Sequence, residues 1–148
     1  MVECQPTHYS SAVLDSLIHR RIASERLIRD VLARIPDHYG ALAARLDGRS
    51  EEGIETIARV RLADAGIVAE PQVVVPGIGR VDLLIDGWLA IEVDGRETHA
   101  QQAAFTSDRR RTALLLQRGI DVLHFSYSQV IYEWPLVLGT VLSMLPRR

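Results

Sequence analysis

Between residues 81 and 94 the chain alternates. Val81, Leu83 and Ile85 are spaced by Asp82 and Leu84, and Leu89, Ile91 and Val93 are spaced by Ala90 and Glu92. Period-two alternation predicts two strands, and the Asp86-Gly87 pair between them predicts a tight hairpin turn. A strand over 72–76 precedes the hairpin. After it the pattern changes to helical spacing, from Thr98 or Ala100 to Arg118, with Gly119 as the stop. Residues 120–125 read as a fourth strand, 128–132 as a short turn or helix, and Pro135 opens a last helix ending at Leu145.

The first third of the chain is helical in pattern. Val13, Leu14, Leu17 and Ile18 share one face of a helix over 10–21, capped by Ser10 or Ser11. Ser24 caps a second, in which Leu27, Ile28, Val31, Leu32 and Ile35 recur until Pro36. A third short helix over 37–46 stops at Asp47-Gly48. Ser50 opens a fourth, with Glu51, Glu52 and Glu55 in its first turns, where the helix dipole favours anions, and Gly66 as its end. This order divides the chain into an N-terminal helical region, 1–49, and a mixed domain, 50–148. The early helices read as a solvated amphipathic bundle packed on the main domain.

Composition narrows the class. The 148 residues are 47% hydrophobic and 24% charged, as in soluble globular proteins. One cysteine, Cys4, excludes a disulfide framework or a cysteine zinc cluster. No apolar run reaches membrane-spanning length and no secretory leader is legible, so the expected location is cytoplasmic, with no membrane partner. The net charge of −2 gives no hint of nucleic acid, so any such surface must come from local clustering. All 17 basic residues are arginine; no chemistry that needs a lysine ammonium applies.

The chemistry sits in the hairpin. Glu92 and Asp94 lie two apart on one strand face, and the pairing strand can bring Asp82 beside them. Three carboxylates converging in an apolar sheet repel one another and lose hydration unless a cation neutralises them. Mg²⁺ (or Mn²⁺), which prefers oxygen ligands and keeps several waters, suits such a set. Arg80 and Arg96 flank the acids. Arg109, Arg110 and Arg111 form the densest basic cluster, either a solvated helix face or a phosphate contact, with Asp108 one turn from Arg111 and able to pair with it.

The segments GIETIARVRL, EPQVVVPGIGRVDLLI, LAIEVDGRETH, AAFTSDRRRTALLLQRGIDVLHF and SQVIYEWPLV, in this order, resemble the PD-(D/E)xK nucleases of restriction-endonuclease-like fold. Within them the wording is similar to the branch related to very-short-patch-repair endonucleases, and more narrowly to an actinobacterial group of such domains. The resemblance spans 50–145. It implies an α/β (α+β) restriction-endonuclease-like core, helix–three-strand meander–helix–strand–helix, preceded by N-terminal helices. It implies Glu55 as the helix glutamate that reaches the metal or its water, Asp82 as the central metal aspartate, and Glu92 as the second acidic ligand. Val81 replaces the proline of the name-giving motif. Asp94 stands where many relatives have the catalytic lysine, which implies a third metal ligand; a general base and a simple turn residue stay open. His99, five residues on, matches a catalytic histidine of repair-endonuclease relatives. His124 stands where relatives often have arginine, a departure that bears on packing or on phosphate contact.

The expected function is a Mg²⁺-dependent endonuclease acting on DNA, with DNA repair as its setting and a homodimer compatible with it. The alternative is a non-catalytic nucleic-acid-binding or regulatory module with a nuclease fold.

Overall fold

A computed structural model describes residues 6–35, 40–94 and 102–145, and the side chains of these except 102–107. The chain divides into two packed units, 1–67 and 68–148. None of the described helices is long and apolar enough to cross a membrane.

The first unit is helical: α1 Thr7–His19, α2 Glu25–Leu32, α3 Gly40–Ala44 and α4 Gly53–Asp64. Ser24 caps α2, its hydroxyl accepting from the Leu27 amide at 3.2 Å. Ile28, Leu32, Leu42 and Leu46 form the core of α2, α3 and the segment after α3, with Leu14, Leu17 and Ile18 of α1 packed on it. Helix α1 starts earlier than its serines suggested, after Pro6. Ser10 and Ser11 are buried inside it, and Val13, expected on the apolar face, is exposed.

A buried polar network ties α1 to α4. The Asp15 carboxylate, 1% exposed, accepts from the Asp47 amide (2.8 Å), the Thr56 hydroxyl (3.0 Å) and the Arg59 guanidinium (2.8 Å). Arg59 also donates to the Arg45 carbonyl at 2.7 Å. These bonds join α4 to α1 and to the segment before it within the first unit.

The second unit holds β1 Ala69–Val75, β2 Gly79–Ile85, β3 Leu89–Asp94, α5 Gln102–Gln117, β4 Asp121–Ser126, α6 Tyr127–Tyr132 and α7 Trp134–Met144. The fold is α+β, with the expected order of a helix, a three-strand meander, a helix, a strand and helices. Sheet order is β1-β2-β3-β4. The first three strands are antiparallel; β4 returns through α5 parallel to β3. Both hairpin turns follow from their residues. Asp86 and Gly87 both take positive φ (48° and 76°), and the Trp88 amide reaches the Ile85 carbonyl at 3.1 Å, the primed turn that matches strand twist. Pro76-Gly77, with Gly77 at φ 78°, makes the other turn, closed from the Ile78 amide to the Val75 carbonyl at 3.0 Å. Strand β1 begins at Ala69, three residues before the expected start. It runs at the sheet edge, where Pro71 costs least.

One sheet face is uniformly apolar: Val81, Leu83, Ile85, Leu89, Ile91, Val93 and Phe125 are all buried. The other face changes character along its length. At one end Leu84, Ala90 and Val122 pack with Leu115 of α5. Beyond them it turns polar, and the candidate site begins there.

The Asp15 network predicts a large, local stability effect. Asp15→Ala leaves the largely buried Arg59 charge without its carboxylate partner, which costs about 3–5 kcal/mol. Urea denaturation of the variant should show this loss; a change under about 1 kcal/mol, the range of an exposed pair, would refute the network's role.

Candidate functional site

The hairpin register places the acids. Leu83 pairs with Ile91 and Leu84 with Ala90; carried on by one residue, the register sets Asp82 opposite Glu92. On the other side Glu92 pairs with His124 in the parallel ladder. Asp82, Glu92 and His124 therefore form one row across three strands, on the face that Leu84, Ala90 and Val122 line two residues away.

The Asp82 and Glu92 carboxyl groups are near enough for each to act on the other's proton affinity. Asp82 Oδ2 also accepts from the Val93 amide at 2.9 Å. Glu92 is only 8% exposed. From α5, Arg111 donates to Glu92 Oε1 at 2.8 Å and also bonds the Arg80 carbonyl. Burial first, and the neighbouring Asp82 charge second, push Glu92 up to about 7, against the pull of Arg111. Burial likewise raises Asp82, opposed by the Val93 amide and the Arg111 charge and reinforced by Asp94. This is a carboxylate pair short of positive charge, with Arg111 supplying part of it.

The expected site residues within the described chain can each be placed. Asp94 ends β3 with an exposed side chain, close enough for its charge to act on Asp82. Arg80, Arg109 and Arg110 are exposed. Arg111, expected to pair with Asp108 or turn inward, turns inward onto Glu92. Glu55, in the first unit, is 4% exposed and accepts from the Glu51 and Glu52 amides at 3.0 and 3.2 Å, closing the start of α4. His99 and Arg96 lie outside the described residues. Among the described residues, no three His, Cys, Asp or Glu side chains gather closely enough to hold a metal ion by themselves.

A hollow of about 480 Å³ opens between the sheet and α5, lined by Glu92, Asp94, Asp108, Arg109, Arg111, Thr112 and His124. Helical spacing explains the α5 contribution. Leu115 covers the apolar end of the face; Arg111 and Thr112 lie one turn back, and Asp108 a turn before them. In the sequence His124 stands where relatives often have arginine, open between packing and phosphate contact; its place depends on which residue of β3 it meets.

No family model matches the chain, and no curated protein matches it. Among solved structures it is similar to the catalytic domain of the homing endonuclease I-Bth0305I. The two are 27% identical over 60% of this chain and 88% of that one, with a TM-score of 0.48.

The raised Glu92 makes stability pH-dependent. An unfolded glutamate loses its proton near 4.5, the folded Glu92 near 7. Between these values the folded state binds more protons, so stability falls as pH rises. The contribution is fully present below about pH 4.5 and lost as pH passes through about 7. Asp82→Asn keeps an acceptor for Val93 and gives Glu92 a donor in place of a charge. In EDTA, the variant's urea stability relative to wild type should rise between pH 5 and pH 8 by on the order of 2 kcal/mol. A difference that stays constant with pH would show that the two carboxyls do not share their charge.

Proposed function

We propose that the chain is a metal-dependent endonuclease hydrolysing phosphodiester bonds, with DNA as substrate and residues 50–148 as the nuclease domain. The observation that carries this reading is the pair of neighbouring acids Asp82 and Glu92, one residue beyond the paired stretch of β2 and β3, with Glu92 lining an open hollow that arginines also line.

The donor set fits a hard divalent cation. Both groups offer carboxylate oxygens, and their raised proton affinity, from burial first and, for Glu92, from the Asp82 charge, supports a cation between them. Mg²⁺ is commonly bound by one or two carboxylates, with water and substrate phosphate completing its shell, so a protein set smaller than three is compatible with it. Asp82 and Glu92 would hold the ion, and Asp94, on the rim of the same hollow, is the third oxygen donor in this proposal. Bound there, Mg²⁺ supplies charge at the phosphoryl oxygen and acidifies a water.

The remaining work falls to the chain's own residues. Arg111 pairs with Glu92 in the free protein and lies within the hollow where an anionic phosphate enters. Arg109 and Arg110 present exposed charge on the same helix for backbone phosphates, a contact that carries no sequence information. Arg80 adds a cation at the start of β2.

The direct test is cleavage of supercoiled plasmid and single-stranded DNA in Mg²⁺, with EDTA and Glu92→Gln as controls. Cleavage abolished by both is expected; DNA bound and never cut would favour a non-catalytic nucleic-acid-binding module. Titrating Mg²⁺ against Asp94→Asn then resolves Asp94. As a ligand, its loss raises the Mg²⁺ requirement and saturating metal recovers activity. As a general base, its loss costs ~10²–10⁴-fold without rescue. Unchanged cleavage would remove Asp94 from the site.

A further inference from the structure

We infer that His124 is a substrate-contacting residue: its imidazole N–H donates to a phosphate oxygen of the nucleic acid in the hollow. This rests on the phosphodiesterase reading above and adds to it a residue from β4, the strand beyond the acidic hairpin.

The sheet face shows why. Its first row, Leu84–Ala90–Val122, is filled by Leu115 of α5, as expected where a helix covers a sheet. The second row ends in His124, directly paired with Glu92, and its side chain is exposed to the hollow instead of being covered. The third row pairs Asp94 with Ser126. The Ser126 hydroxyl caps α6, accepting from the Gln129 amide at 3.2 Å, and Ser126 is not among the residues that line the hollow. His124 is thus the β4 side chain that the fold offers to whatever enters.

Arg109, Arg111 and Thr112 share the hollow with three acids, so a phosphate there draws on every donor in the lining. Glu92, Asp94 and Asp108 give the hollow acceptors, which repel a phosphate. Arg111 is already bonded to Glu92 and to the Arg80 carbonyl. A phosphate set among these acids needs further donors. A neutral imidazole always carries one N–H and an imidazolium carries two, so the contact exists in either protonation state. No charge change at His124 is required.

The test compares wild type with His124→Leu, His124→Asn and His124→Gln. One readout is affinity for a short duplex and for single-stranded DNA, with Ca²⁺ replacing Mg²⁺. The other is kcat/KM for cleavage in Mg²⁺. His124 is exposed, so urea midpoints should not move. His124→Leu should lose about 10- to 100-fold in affinity or in kcat/KM, the worth of a hydrogen bond to a charged group. At least one amide variant, which keeps an N–H donor, should recover most of it. Wild-type values in His124→Leu, while wild type itself cleaves DNA, would overturn the inference and leave the nuclease reading standing. Equal loss in all three variants would overturn the donor role. A wild type that neither binds nor cleaves DNA would overturn the functional reading, and this inference with it.

Discussion

The proximity of the Asp82 and Glu92 carboxyl groups governs the second unit's site. Two acids adjacent in an otherwise apolar sheet are costly, and the structure tolerates them by specific means. The Val93 amide bonds Asp82 and the Arg111 guanidinium bonds Glu92. The cost that remains shows as the rise of Glu92 to about 7. Packing alone gives no reason to keep it, since a sheet with apolar residues in that row would be easier to build. A site that gathers negative charge so that a cation can release it does give one.

The register that makes this pair also organises its surroundings. One hairpin turn, Asp86-Gly87, fixes which residue of β2 meets which of β3. A slip of one residue would send Asp82 to the buried face and Leu83 to the hollow. The parallel return of β4 then sets His124 beside Glu92 and Ser126 beside Asp94. Helix α5 covers the apolar row with Leu115 and reaches the polar row with Arg111. With no lysine in the chain, every fixed positive charge near the acids is a guanidinium, whose planar fork suits bonding a carboxylate and a carbonyl at once.

What was legible in the sequence was local. Alternation around Asp86-Gly87 revealed the hairpin, Ser24 revealed a cap, and Gly119 marked the end of α5, because each acts within a few residues. The carboxylate pair was legible too, since strand parity and a two-residue turn nearly determine it. The start of α1 was not, because Ser10 and Ser11 have the chemistry of caps but are buried in mid-helix. The edge strand's start at Ala69 was hidden by Glu70 and Pro71, which do not look like strand residues. The partner of Arg111 and the place of His124 were out of reach for a different reason: both depend on how α5 and β4 return to β3, a pairing that no short stretch encodes. Glu55 was legible as a first-turn acid, while the resemblance gave it a metal role; its carboxylate closes the turn at the start of α4.

The central claim is that Asp82 and Glu92 form one cation site, with Arg111 as the counter-ion of the free protein. Crystals soaked in Mn²⁺ measure this directly. The account predicts an anomalous peak about 2.1 Å from a carboxylate oxygen of both residues, with Arg111 moved off Glu92. No peak at saturating Mn²⁺, with Arg111 still bonded to Glu92, would contradict it.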